Sequence, residues 1–169
     1  MTINNFFGFL ALSTYVATLI PSNIGKVFLQ TKKRRVNRFL LKRRRFLGLT
    51  VFSLSSSHAI ISFWKYDLNL LSLETYKAYY TGIISLTIFF LLAITSNRWS
   101  RRKLTKKWKR LHQLTYAAMF LLLWHVLMMM PNSWSWITFV ALFLIITTSL
   151  IYLTRLIIDC QKIIIKLQN

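Results

Sequence analysis

Acidic residues are almost missing from this chain: its 169 residues hold three Asp and Glu against 23 Lys and Arg. With so few carboxylates, and with 4 Gly, there are no paired carboxylates for acid-base catalysis, no Ser-His-Asp set and no glycine-rich phosphate loop. Cys160 is alone, which excludes an internal disulfide and a cysteine metal cage. Any redox chemistry therefore belongs to a bound cofactor. The spans lack paired acids and helices broken by glycine and proline, which argues against a transporter or channel. Met1 to Pro21 has no basic leading region and no small-residue cleavage pattern, so the first apolar run is expected to stay in the mature protein.

What is abundant is apolar. Hydrophobic residues make up 55% of the chain and mean hydropathy is +0.47, too apolar for a soluble domain of this size. The expectation is an all-α, multi-pass membrane bundle of about five spans, forming one domain over 1–169. The basic residues fall almost wholly in two stretches. Lys26 to Arg45 holds ten, among them Lys32, Lys33, Arg44 and Arg45, and Asn97 to Arg110 holds eight. Both are read as loops on one face, the cytoplasmic side by the positive-inside rule, against anionic lipid. This segregation is the ordinary consequence of membrane insertion, so no nucleic-acid partner is expected.

The spans read in order as 5–20, 46–66, 79–95, 111–130 and 134–158. Pro21-Ser22-Asn23 is expected to close the first, and Pro131-Asn132 stops the fourth. Lys65 to Lys77, with Asp67 and Glu74, is an outer loop of little net charge. Trp134 and Trp136 anchor the fifth span at the interface, Arg155 marks its exit, and the tail from Gln161 continues the helix along the membrane surface.

The chain's three histidines all fall in these spans: His58 in the second, His112 at the entrance of the fourth and His125 near its far end. The second and fourth spans both start on the basic side, so they run parallel. His58 lies 13 residues after Arg45 and His125 lies 13 after His112, which puts His58 and His125 at one depth toward the outer face. Two imidazoles at one level suit a bis-histidine b-type haem, one nitrogen on each side of the iron. The alternative is two separately buried histidines. Ser53, Ser55, Ser56, Ser57 and Ala59 strip bulk from the helix around His58, which serves either a wide ligand or close helix packing. At the inner level His112 meets Arg44 or Arg45 instead of a second histidine. His112 is either a ligand of an inner haem with a different partner or a histidine at the water interface. On an ideal helix His112 and His125 lie about 140° apart, so they share no stripe unless the helix is bent or bulged. The histidines differ too much in depth to converge on one zinc ion.

The pattern RRRFLGLTVFSLSSSHA, then TGIISLTIFFLLAITSNRWSRRKLTKKWKRLHQLTY, then LLLWHVL resembles the ferric reductase-like transmembrane domain over about residues 8 to 130. Within that family it is most similar to the haem-binding membrane subunit of bacterial methionine sulfoxide reductase systems. The resemblance implies that His58, His112 and His125 are haem-linked, with Arg44 where two-haem relatives carry another histidine. It implies b-type haem, one expected and a second allowed. Electrons would come from a cytoplasmic flavin reductase or quinol, and go to an acceptor protein or metal ion on the other side. Arg44 or Arg45 would lie near the propionates of an inner haem. The chain departs from the pattern in lacking the family's usual first helix and any flavin or nicotinamide domain, and in carrying Lys-Leu-Thr-Lys where Lys-Leu-Gly-Lys is usual, read as a mild change. The expected role is a redox subunit and not a complete enzyme, in a bacterial-type inner membrane or an equivalent organelle membrane. The alternative is a non-catalytic scaffold that keeps the fold without haem.

Overall fold

The computed structural model describes residues 3–28, 34–66, 73–129 and 135–168, with every side chain except those of 73–78 and 166. It is all-helical, in the order α1 (Ile3–Val27), α2 (Arg35–Tyr66), α3 (Leu73–Ile94), α4 (Arg98–Met129) and α5 (Trp136–Gln168). Lys32, Lys33, Asp67, Pro131, Asn132, Trp134 and the side chain of Glu74 lie outside the described residues. Four of the helices are long and apolar enough to cross a membrane, and α3 carries a shorter apolar stretch, Tyr79–Ile94. The protein is an integral, multi-pass membrane protein. Side chains such as Phe143, 70% exposed, face outward, as they do when the surrounding solvent is lipid.

Four helix boundaries differ from the sequence reading. α1 does not stop at Pro21 but runs through it to Val27. A proline inside a membrane helix is tolerated where neighbouring helices hold the freed backbone. Just beyond the proline α1 is tied to α5, with Arg155 Nη1 donating to the Asn23 side-chain Oδ1 at 2.9 Å. The two basic stretches are also largely helical, as Arg35–Arg45 opens α2 and Arg98–Arg110 opens α4. Lys and Arg are good helix formers, and neither stretch holds proline or glycine to end the helix. The outer loop is likewise shorter, with Lys65 and Tyr66 ending α2 and α3 starting at Leu73.

In α4 the helix is interrupted at Thr105, with φ 44° and ψ −112°, the one non-glycine positive φ among the described residues. A β-branched residue there is a conformational outlier, and this is the position where the resemblance expects glycine. The change from glycine is therefore not mild. The kink precedes His112, and the helix from His112 to His125 contains no such break.

Each helix packs on its chain neighbours, and α5 closes back on α1. The contacts fix the directions. Arg44 of α2 reaches Ser22 near the end of α1, while His58 of α2 meets Asn4 near its start, so α1 and α2 are antiparallel. Thr81 meets His125 and Thr95 meets His112, so α3 and α4 are antiparallel too. α2 and α4 thus run parallel, with their basic ends at one face. A core of Leu12, Tyr15, Val16, Leu19, Phe89 and Met119 lies toward that face. Tyr15 on α1 crosses the bundle to donate its hydroxyl hydrogen to the Thr115 carbonyl of α4. Next to the core, Arg155 also donates to the Tyr116 hydroxyl at 2.7 Å, tying α5 to α4 as well as to α1.

Candidate functional site

On the outer side of this core the bundle opens into a cavity of about 790 Å³, in the upper part of the range of roughly 300–1,000 Å³ usual for cofactor pockets. His58 and His125 both line it, on helices that face each other across the space instead of packing along their length. Ser55 and Ala59, from the small-residue stretch around His58, line it as well.

Both imidazoles are held in the same manner. His58 donates from Nδ1 to the Asn4 backbone carbonyl at 3.0 Å, and Ser62 donates to the Asn4 side-chain oxygen at 3.1 Å. His125 places its Nδ1 3.3 Å from the Thr81 hydroxyl. Among the described residues the Nε2 of neither ring has a hydrogen-bond partner. A hydrogen bond donated by Nδ1, as from His58 to the Asn4 carbonyl, fixes ring orientation and leaves Nε2 with its lone pair available to a metal, and the Thr81 hydroxyl can accept from His125 in the same way.

A glycine on the antiparallel neighbour backs each ring. A Cβ added at Gly8 of α1 would lie 3.1 Å from His58 Cε1 and Nδ1, and one added at Gly82 of α3 would lie 2.9 Å from His125 Cε1. A methyl group at Gly82 would displace its imidazole, and one at Gly8 would require the His58 ring to give by a few tenths of an ångström. The sequence reading passed over Asn4, Gly8, Thr81 and Gly82. Their signal was slight: two of only four glycines, each inside an apolar span where glycine reads equally well as close packing.

The structure does not bring the remaining residues to the cavity. His112 sits at the inner level with its Nε2 3.4 Å from the Thr95 hydroxyl, and its ring stacks on Trp108 with centroids 4.1 Å apart. Trp108 in turn donates to the Thr95 carbonyl at 3.0 Å. The Arg44 guanidinium points to Ser22, 3.2 Å away, and Arg45 is exposed. No group of three or more His, Cys, Asp or Glu converges among the described residues. A bare ion such as zinc needs three or four protein ligands, so two opposed imidazoles suit a metal that brings its own planar ligands.

At the basic end Asp159 of α5 pairs with Lys26 of α1 at 2.9 Å and lies 3.6 Å from Arg155 Nε. The hydrogen bond from Lys26, ahead of the opposing effect of burial, holds its carboxyl below the usual carboxylate range.

Comparison with known proteins fits this architecture. The family model described as ferric reductase like transmembrane component matches residues 7–123, a stretch that includes His58 and His112 and ends two residues before His125. The chain is 32% identical over 139 residues to the heme-binding subunit MsrQ of the protein-methionine-sulfoxide reductase of Yersinia pseudotuberculosis (serotype O:1b, strain IP 31758), an alignment covering 76% of this chain and 65% of that protein. The corresponding subunit of Yersinia pestis (strain Pestoides F) is also 32% identical over 139 residues, covering 76% of this chain and 64% of the relative. The chain thus spans slightly less than two thirds of the curated relatives it matches. No solved structure matches it. With more than half its length under the family model, the chain belongs to the ferric reductase-like transmembrane family.

Proposed function

We propose that this chain is a haem-binding membrane subunit that passes single electrons across the bilayer, with His58 and His125 as the axial ligands of one b-type haem. One observation carries the reading: two imidazoles on opposite walls of one cavity, each with Nδ1 engaged and Nε2 free. The residues fit the group. Gly8 and Gly82 leave the space that lets each ring lie against a neighbouring backbone, and the cavity has the size and apolar floor of a cofactor site. Haem bound there supplies a reversible one-electron couple. Asn4 holds the His58 tautomer, Thr81 orients the His125 ring, and the core between cavity and basic face keeps water out of the inner half.

A second haem at the inner level fits poorly. His112 meets a hydroxyl at Nε2 and an indole on its face, and Arg44 is turned to Ser22. The reading is therefore one haem per chain, with His112 bracing α3 against α4.

The relatives' names supply the setting: the heme-binding subunit of a protein-methionine-sulfoxide reductase. The basic ends of α2 and α4 face the cytoplasm by the positive-inside rule and offer a docking surface to an acidic electron donor, a flavin reductase, or lie at the level of membrane quinol. The cavity opens toward the other face, where the acceptor binds.

A pyridine haemochrome assay on the detergent-purified protein tests this. One b-type haem per chain, reducible by a flavin reductase with its nicotinamide donor or by a quinol, is expected. Two haems would overturn the reading of His112, and none after expression with ample haem would leave a scaffold.

A further inference from the structure

The cavity is amphipathic along the membrane normal. Its floor, toward the core, is formed by Leu12, Phe89 and Leu122, while its outer rim carries Asn5, Tyr66 and Tyr79. Among the described residues no Lys, Arg, Asp or Glu lines it. The two basic clusters stand at the opposite end of the bundle, beyond the floor and the core, and so cannot meet a charged group held in the cavity. A tetrapyrrole with two carboxylates on one edge faces a clear choice in such a space. A carboxylate pressed on the floor would be buried without a partner, at a cost far above that of any neutral group. Its acidic edge belongs at the rim.

Among the residues whose side chains are described, Lys65 is the cation at that outer end; Lys77 of α3 stands at the same end with its side chain outside the described set. It stands in the last turn of α2 beside Tyr66, with Nζ 3.3 Å from the Tyr66 hydroxyl and 4.9 Å from its ring centroid. Tyr66 itself lines the cavity. No acidic side chain pairs with Lys65 among the described residues. The lysine is thus placed at the mouth by a rim residue, with no acidic partner among the described side chains.

Resting on the haem reading above, we propose that the outer rim is the carboxylate-binding edge of the cofactor site, and that Lys65, positioned by Tyr66, is the cation that takes a haem propionate. Asn5 and Tyr79 add neutral hydrogen-bonding groups to the same edge. Lys65 is a positioning and tuning residue: it neutralises a carboxylate whose charge would otherwise favour ferric over ferrous iron.

The test is a redox titration of wild type, Lys65→Gln, Lys65→Arg and, as a control at the basic end, Lys162→Ala, each loaded with haem or with haem dimethyl ester, which has no carboxylate. Through partly screened surroundings, loss of one charge near the iron shifts the ferric-to-ferrous ratio by about tenfold, or roughly 59 mV for one electron. Lys65→Gln should show this fall in midpoint potential with haem, Lys65→Arg should not, and with the ester, where no carboxylate holds the lysine against the haem, the fall in Lys65→Gln should shrink severalfold. If Lys65→Gln loses haem altogether, the ester should still bind it and wild type equally, and unequal binding overturns the proposal. So does an unchanged potential, or the same shift with the ester. These results would leave the haem reading intact if the wild-type spectrum still depends on His58 and His125. A wild type that takes up no haem overturns both.

Discussion

Gly82 on α3 and His125 on α4 are in such close contact that a methyl group on the glycine would lie 2.9 Å from the imidazole Cε1. His58 and Gly8 repeat the arrangement at 3.1 Å, on the other wall of the cavity. Gly82→Ala must move the ring, at a strain of about 1–3 kcal/mol. Haem content of purified Gly82→Ala should fall severalfold, and Gly8→Ala should fall less. Gly48→Ala is the control, since a Cβ there meets nothing within 4 Å. Equal haem content in all three would contradict this use of the glycines.

Thr81 holds the buried nitrogen of His125, and Thr81→Val leaves that imidazole nitrogen unpaired in an apolar setting. Loss of a hydrogen bond behind a metal-ligating histidine weakens metal binding about 10–100-fold. Haem transfer to apomyoglobin should be correspondingly faster from Thr81→Val, with Thr81→Ser close to wild type. If valine and serine behave alike, the hydroxyl has no such role.

Thr105 is strained where glycine would be relaxed. Such a residue costs about 1–3 kcal/mol, less the extra chain entropy that glycine adds to the unfolded state. Thr105→Gly should raise the thermal unfolding midpoint in detergent, while Thr105→Val should not. A lower midpoint for the glycine variant would show that the kink carries no strain.

Part of this architecture was legible from residue order alone. Long apolar runs and their basic flanks place the five helices, because a bilayer imposes length and charge asymmetry directly. The helix limits were not legible at Pro21 or in the basic stretches. A proline inside a helix that continues to a side-chain tie with α5, and lysines and arginines that extend a helix past the membrane, look like ends in the sequence. The two residues His58 and His125 can be matched by counting from the basic ends, since depth in a membrane is additive along parallel helices. Their supports cannot, because Asn4, Gly8, Thr81 and Gly82 act through contacts between helices, which no spacing within one helix encodes. The strain at Thr105 likewise needs the backbone.

Asp159 gives the basic end an acid dependence. Its folded pKa is depressed, so its pairing with Lys26 contributes stability above the unfolded carboxylate value and loses it as pH falls through the folded one. The contribution is present at neutral pH and fades below about pH 4. The pair is partly exposed, so the effect is small and shrinks with salt. The gap in melting temperature between wild type and Asp159→Asn should be seen at pH 6 and close toward pH 3. A gap independent of pH would assign the effect to something other than this ion pair.

The most direct test of the central claim is the oxidised and dithionite-reduced absorption spectrum of purified wild type beside His58→Ala, His125→Ala and His112→Ala. The account predicts a low-spin b-type spectrum that is lost or converted to a high-spin form in the first two variants and kept in the third. A spectrum that survives removal of His58 or His125, or that vanishes only with His112, would contradict it.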